Sequence, residues 1–316
     1  MIILPHSKPP ELEQLEALVP RYKGKDQTYQ TIQERLGKEL AGYKGERSLH
    51  YYIKLLKLNN HFLLFGFRAK GIDSYFQIDS MLITQSFILI IEAKHLKGTL
   101  SINEAGQLIQ ETEDYTEVYQ NPLTQANIQR YQLTHLLSQR ELDLLPIYTC
   151  VTFTHPKSIL NINKNSVDIF PSQNLPSYIY KVLSQNKKPI ISNQKAHSIA
   201  TTLKFQHSPK NNNLINYYGI TDHLVRKGVW CTACQKIMMI RIHGNWHCPK
   251  CNHKDKTAHM QALREFSILY DRQQITNKEA RTFLKIESES TAKRLLSKFD
   301  RIGDTKGSLY LLNSLT

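Results

Sequence analysis

Two carboxylates and an ammonium, at a spacing that two paired strands can close, are the residues of this chain best suited to chemistry. Asp79 stands thirteen residues before Glu92, and Lys94 follows two later, within the run FQIDSMLITQSFILIIEAK over residues 76–94. Residues 80–84 and 87–91 are mostly apolar and rich in β-branched types, with Gln85-Ser86 as a tight turn, so a hairpin is predicted. Side chains alternate along a strand, which sends Glu92 and Lys94 to one face and Ala93 to the other. Such a hairpin gathers Asp79, Glu92 and Lys94 in one cleft. The set suits phosphodiester hydrolysis: carboxylates hold Mg²⁺ or Mn²⁺, the cation activates water and polarises a phosphoryl oxygen, and the ammonium meets the water or the phosphate. Asp79 and Glu92 are the expected metal ligands. Glu46, in a Gly45-Glu46-Arg47 element expected to open the helix before the hairpin, can reach the metal from the side. Gln125, after Asn121-Pro122, is expected at the start of a helix running to about Ser138, where it can contact phosphate or the metal-bound water.

Acid, acid and lysine at loose spacing also arise as the ordinary polar ends of a hairpin, and spacing alone does not separate the two readings. The neighbouring motifs add to it. Gly45-Glu46, Gln77-Ile78-Asp79, Ile91-Glu92-Ala93-Lys94 followed by Gly98, and Asn121-Pro122-Leu123-Thr124-Gln125 occur in that order. On these residues the chain, from about residue 43 to 137, resembles the nuclease-related domain (NERD), a branch of the PD-(D/E)XK nuclease-like superfamily. The resemblance implies an α/β fold with a restriction-endonuclease-like mixed sheet flanked by helices. Family members often carry histidine directly after the acid, where this sequence has Ser80, a departure that leaves the metal ligands intact. Fold likeness does not by itself make an enzyme, since such a scaffold can also only bind nucleic acid.

At 316 residues the chain has room for two or three domains, and its formal charge of +14 suits a polyanionic partner. An acidic membrane surface or plain solubility also accounts for a basic chain. No apolar run approaches a membrane span, and MIILPHSKPP lacks the basic-then-apolar layout of a signal peptide. The expected partner is therefore nucleic acid, double-stranded DNA first, and the expected location cytoplasmic. The basic excess is densest toward the C-terminus, where residues 206–316 hold 18 Lys and Arg against 9 Asp and Glu.

Residues 1–40 read as a helical lead-in bracing the nuclease-like core, with helical segments over 11–18 and 28–40. The core is expected over 41–205: helical spacing at Ile128, Tyr131, Leu133, Leu136 and Leu137 and a β-type run over 145–153 continue the α/β order. Cys150 lies inside that run and reads as a core residue, and His155 as a loop histidine. Residues 206–228, with Asn211-Asn212-Asn213, read as a linker.

Four of the five cysteines follow, as Cys231-Thr-Ala-Cys234 and Cys248-Pro-Lys-Cys251, thirteen residues apart. Two knuckles can each present a pair of thiolates to one structural Zn²⁺, with a hairpin between them turning at His243-Gly244-Asn245. Residues 229–256 are thus a predicted zinc ribbon; disulfides are disfavoured in a cytosolic chain, and a redox CxxC needs no second copy. His247 and His253 lie near enough to replace a thiol, but four cysteines suffice. Residues 260–316 read as a winged helix-turn-helix. Thr276 and Glu279 form a capping box, and a third helix near Ser288 buries Ala292, Leu295, Leu296 and Phe299. That helix exposes Ser290, Thr291, Lys293, Arg294 and Lys298 as candidate DNA-binding residues, ahead of a wing turn over 304–308. The sequence reading is a Mg²⁺-dependent DNA endonuclease or nickase docked by ribbon and winged helix. A DNA-binding regulator or adaptor with an inactive core and an RNA-processing nuclease are the alternatives.

Overall fold

The computed structural model of the chain describes residues 1–162, 167–305 and 307–313. Lys306, in the wing turn, and residues 314–316, at the end of the predicted winged helix, lie outside the described residues. The chain divides into two compact units, one of Met1–Pro9 with Lys38–Lys210 and one of Pro10–Gly37 with Asn211–Thr316.

The first unit is built on a six-stranded mixed sheet. Its chain order begins with β1 (Ile2–Leu4), and after the helices α1 (Pro10–Arg21) and α2 (Gln27–Leu55) come β2 (Phe62–Lys70), β3 (Tyr75–Ile83) and β4 (Ile88–Lys94). β5 (Gly98–Ile102), β6 (Leu108–Glu111) and β7 (Thr116–Tyr119) belong to a small second sheet of four strands. Then follow α3 (Pro122–Ser138), β8 (Ile147–Phe153), β9 (Ser158–Asn161), β10 (Ile169–Pro171), α4 (Leu175–Gln185) and α5 (Asn193–Gln206). The strand orders are β1-β2-β3-β4-β8-β10 and β7-β6-β5-β9. β3 and β4 form the predicted antiparallel hairpin, and β4 runs parallel to β8. The period of two in β4 decides what sits on each face. Ile88 and Ile90 pack with Leu133, Leu136 and Ile199 from α3 and α5, while Leu89 and Ile91 pack with Leu49, Ile53 and Ile179 from α2 and α4. Each such side chain, once buried, contributes about 1.5–3 kcal/mol. The sheet is thus covered on both sides at the strand whose far end carries Glu92 and Lys94. Cys150 is fully buried in β8, as expected of a core residue.

One local expectation fails. Gly45-Glu46 does not open a helix; it lies well inside α2, which runs on from Gln27 to Leu55. The stretch AGYKGE over residues 41–46 contains no proline, and a helical glycine costs only about 1 kcal/mol relative to alanine. Burial of Leu49 and Ile53 beyond the glycines outweighs that cost.

The second unit also departs from the expected linker and lead-in. α1 turns Leu15 and Leu18 into a core shared with Leu214, Ile215, Ile220, Val225 and Leu269, so residues 10–21 and 211–228 are structural parts of the C-terminal unit. Asn213 caps the short helix α6 (Leu214–Tyr217), its side chain accepting from Asn216 N. Next come β11 (Val229–Trp230), β12 (Met238–Ile242), β13 (Asn245–His247) and β14 (Lys254–Asp255) in one antiparallel sheet. His243 and Gly244, at φ 45° and 83°, make the turn between β12 and β13, a geometry glycine adopts without steric cost. The rest is α7 (Ala258–Tyr270), β15 (Gln274–Thr276), α8 (Asn277–Leu284), α9 (Glu289–Leu296), β16 (Arg301–Ile302) and β17 (Leu309–Leu311), with strands ordered β15-β17-β16. The predicted capping box at Thr276 and Glu279 is complete, and Ser288 caps α9.

Arg21, at the end of α1, is wholly buried and ties this unit together. Its guanidinium donates to Glu265 on α7 at 2.7 Å, to Arg226 O at 2.8 Å and to Gly228 O at 3.1 Å, over the Phe283 ring. Removing the guanidinium strands a carboxylate and two carbonyls. Arg21→Ala is therefore expected to destabilise the unit by about 3–5 kcal/mol in urea denaturation, whereas an Arg21→Met, Glu265→Met pair loses less because no charge is left alone.

Candidate functional site

The cleft forms where the β3–β4 ladder ends. The last paired residues are Ser80 and Ile91, and one step beyond them the Asp79 carboxylate, Oδ2, accepts from Ala93 N at 2.9 Å. Glu92, 1% exposed, and Lys94 share a face, as the alternation demands, and that face looks onto α3. Lys94 Nζ donates to Glu92 Oε1 at 2.6 Å and to Gln125 Oε1 at 2.9 Å. Asn121 begins α3 by accepting from Leu123 N, which sets Gln125 in the first turn of the helix.

Electrostatics bring Glu46 into the same site. The Asp79 pKa lies well above the usual carboxylate range, first through burial, then through the charges of Glu92 and Glu46. The Ala93 amide and Lys94 pull the other way without cancelling the rise. Glu92 and Glu46 are thus near enough to raise Asp79, and Lys94 offsets them only in part. Hard oxygen donors crowded at this charge density fit a divalent cation such as Mg²⁺ or Mn²⁺, and the lone pairs Glu92 does not give to Lys94 and Gln129 remain available. Asp79, Glu92 and Glu46 are the residues that would hold it.

Two supporting residues, Gln129 and His6, were not singled out in the sequence. Gln129, one turn after Gln125 and buried, donates from Nε2 to Glu92 Oε2 at 2.8 Å; its place four residues on along one helix face was the available signal. His6 puts Nε2 3.4 Å from Glu46 Oε2, with its ring against Tyr43. No local pattern marks it, since the pairing spans forty residues. Gly45 is needed for space: a Cβ there would lie 2.7 Å from Thr154 Oγ1 and 2.8 Å from His95 Cβ. His155, expected in a loop, stacks edge-on against His95 at 4.8 Å between centroids.

Residues 41–154, which hold Glu46, Asp79, Glu92, Lys94 and Gln125, match the family model described as the nuclease-related domain. Residues 41–154 are a nuclease-related domain. No curated protein and no solved structure matches the chain. The nuclease-related domain accounts for much of the first unit, and the cysteines lie outside it, in the second.

Cys231, Cys234, Cys248 and Cys251 place their sulfurs within 4.8 Å of one another, a cluster that can bind a metal such as zinc. The two knuckles repeat one geometry. Cys234 N donates to Cys231 Sγ and Cys251 N to Cys248 Sγ, each at 3.4 Å, and Gln235 and Asn252 each take positive φ directly after a knuckle. His247 and His253 stay out of the cluster. Cys231, Cys248 and Trp246 share a core with Ala262, Phe266, Phe283 and Leu296, so the sulfur site and the helices α7 to α9 are one packed body. On α9, Ser290, Lys293 and Arg294 are exposed as expected and Thr291 is half-buried, while Lys298, expected on the same helix, is exposed just past its end. No helix among the described residues is long and apolar enough to cross a membrane.

Two outcomes follow from these geometries. A carboxyl whose folded pKa lies above its unfolded value of about 3.9 carries a stability cost that is absent below the unfolded value, grows as pH rises between the two and is complete above the folded one. Asp79→Asn keeps an acceptor for Ala93 N and removes the charge; its melting temperature should exceed that of the unsubstituted protein at pH 8 in the absence of divalent cations, with the gap closing near pH 4. For the cysteines, stripping metal with a chelator should expose Trp246, now 1% exposed, and shift its fluorescence to the red while lowering the melting temperature of the second unit.

Proposed function

We propose that this protein is a metal-dependent phosphodiesterase that cleaves or nicks DNA through its nuclease-related domain, with the C-terminal unit holding the duplex. The observation that carries the reading is the gathering of Asp79, Glu92, Lys94 and Gln125 where β3 and β4 end, with Asp79 pushed up by burial and by the charges of Glu92 and Glu46. A Mg²⁺ or Mn²⁺ ion bound by these carboxylates would polarise the phosphoryl oxygen and lower the pKa of a bound water. Gln125 sets the position of Lys94, whose ammonium would contact the attacking water or the scissile phosphate. Gln129 holds the rotamer of Glu92, and His6 steadies Glu46.

The docking role falls to the second unit. The α-β-α-α-β-β order of α7, β15, α8, α9, β16 and β17 supports a winged helix in which α9 enters a major groove with Ser290, Thr291, Lys293, Arg294 and Lys298. The four cysteines take a structural zinc, which leaves no open coordination position for catalysis.

The test is cleavage of supercoiled plasmid with Mg²⁺, with Mn²⁺ and without divalent cation, comparing the protein with Asp79→Ala and Lys94→Ala. Metal-dependent nicking or linearisation that falls by at least about a hundredfold in both variants supports the reading. Binding without cutting under every condition would show the core to be an adaptor, and faster cleavage of a matched RNA would move the substrate from DNA to RNA.

A further inference from the structure

The strand that carries Asp79 continues away from the cleft as one half of a two-stranded arm. β3 pairs with β4 only over residues 80–83, so from Ile78 back to Tyr75 its ladder is with β2 alone. Phe67, Ala69, Phe76 and Ile78 bury one face of the arm in the core under α3 and α5, and the residues between them face the other way. On that outer face Arg68 lies opposite Gln77 and Lys70 opposite Tyr75. Lys70 and Gln77 are exposed, and so is Tyr75, at 49%.

The Tyr75 ring is nonetheless held in place. Arg68 sets its guanidinium 3.9 Å from the ring centroid, and its Nη1 donates to Ser208 O at 2.9 Å while Ser208 N donates to Arg68 O at 2.8 Å. The turn of the arm closes with Gly71 N donating to Ser74 O at 2.7 Å and is tied to α3, where Gln132 Oε1 accepts from Ile72 N at 2.9 Å. The helix that presents Gln125 and Gln129 to the cleft therefore also braces the arm. With Arg68 on one face of the ring, the exposed part is the other face and the edges, pre-oriented for a flat ligand.

Tyr75 lies four residues from Asp79 on the same strand, about 13 Å away at ~3.3 Å per residue, which a few nucleotides span. Lys70 places a cation next to the ring, where a phosphate backbone joining stacked bases would run, and the acid of the arm, Asp73, lies in the turn beyond the Lys70–Tyr75 pair. Bases inside a duplex already have both faces covered by their neighbours, so the ring selects a base that is out of the stack.

We infer that Tyr75 is a stacking platform for an unpaired base of the DNA strand that enters the carboxylate cleft, with Lys70 against the adjoining phosphate. The inference rests on the reading of that cleft as the cleavage site and narrows its substrate to DNA in which a duplex gives way to unpaired nucleotides next to the cut.

The experiment titrates full-length protein, without added Mg²⁺ or Mn²⁺, into a DNA duplex with a single-stranded tail that carries fluorescent 2-aminopurine at each unpaired position in turn. Stacking on Tyr75 should quench the probe at one position and its neighbour. Tyr75→Phe should keep the quench; Tyr75→Ala should lose it and weaken binding of the tailed duplex roughly five- to hundredfold, with blunt-duplex affinity unchanged. An equal quench in Tyr75→Ala, no quench in the parent, or an equal loss of tailed and blunt binding overturns the platform. If Tyr75→Ala lowers the melting temperature, photo-crosslinking of a 5-iodouracil tail to the unsubstituted protein decides: a crosslink at Tyr75 supports the platform, and crosslinks confined to other residues overturn it. With Mg²⁺ added, cleavage as fast on blunt as on tailed duplex and indifferent to Tyr75→Ala overturns the platform and leaves the nuclease reading intact. A Tyr75-dependent quench without cleavage by the parent supports the platform and overturns the nuclease reading. Tighter binding of a matched RNA tail overturns the choice of DNA.

Discussion

The ladder between β3 and β4 gives way, one step past Ser80 and Ile91, to a bond from the Ala93 amide to the Asp79 carboxylate. The site depends on this substitution of a side chain for a backbone carbonyl. A carboxylate needs compensation to stay charged out of water, and here one amide hydrogen bond and one ammonium oppose burial and two further carboxylates. The strain is electrostatic and local, and the sheet supplies the rigidity that sustains it. Ile88 to Ile91 are buried on both faces of the sheet, so β4 cannot retreat to spread the charges. A cleft of this kind carries the cost of its own repulsion within the fold.

The second unit applies a related logic with different materials. Its sulfur cluster, its Trp246 and its helices share one core, and the buried Arg21 is satisfied by an acid from α7 and carbonyls from the chain before β11. Polar groups set deep in a small core are costly unless every donor is met, and they then fix one arrangement over its alternatives.

The hairpin, the approach of Asp79, Glu92 and Lys94, the sulfur knuckles and the capping box were legible because each is written in short-range spacing. Alternation sends Glu92 and Lys94 to one face, CxxC closes a knuckle, and Thr276 meets Glu279 within one turn. What escaped was written at long range. The polar run at Asn211-Asn212-Asn213 reads as a tether, yet Leu214, Ile215, Ile220 and Val225 beyond it are buried because α1, some two hundred residues earlier, covers them. Glu46 was found by type but misplaced, since nothing in AGYKGE shows that Leu49 and Ile53 will carry the helix through two glycines. His6 and Gln129 act only through the carboxylates they touch, and no pattern of their own announces them.

The order of synthesis turns the division of the chain into a problem of timing. α1 leaves the ribosome well before Glu265, the acid that neutralises Arg21, which follows 244 residues later. At about 5–20 residues per second the helix waits roughly ten to fifty seconds with Leu15 and Leu18 uncovered, while the nuclease-related domain can already close. During that interval the nascent chain carries an adhesive apolar stripe next to a finished domain. Completion of the C-terminal unit is then a late capture event, and a ribosome that stalls after Lys210 would release a chain holding every residue of the carboxylate cleft but lacking most of the unit to which α1 belongs.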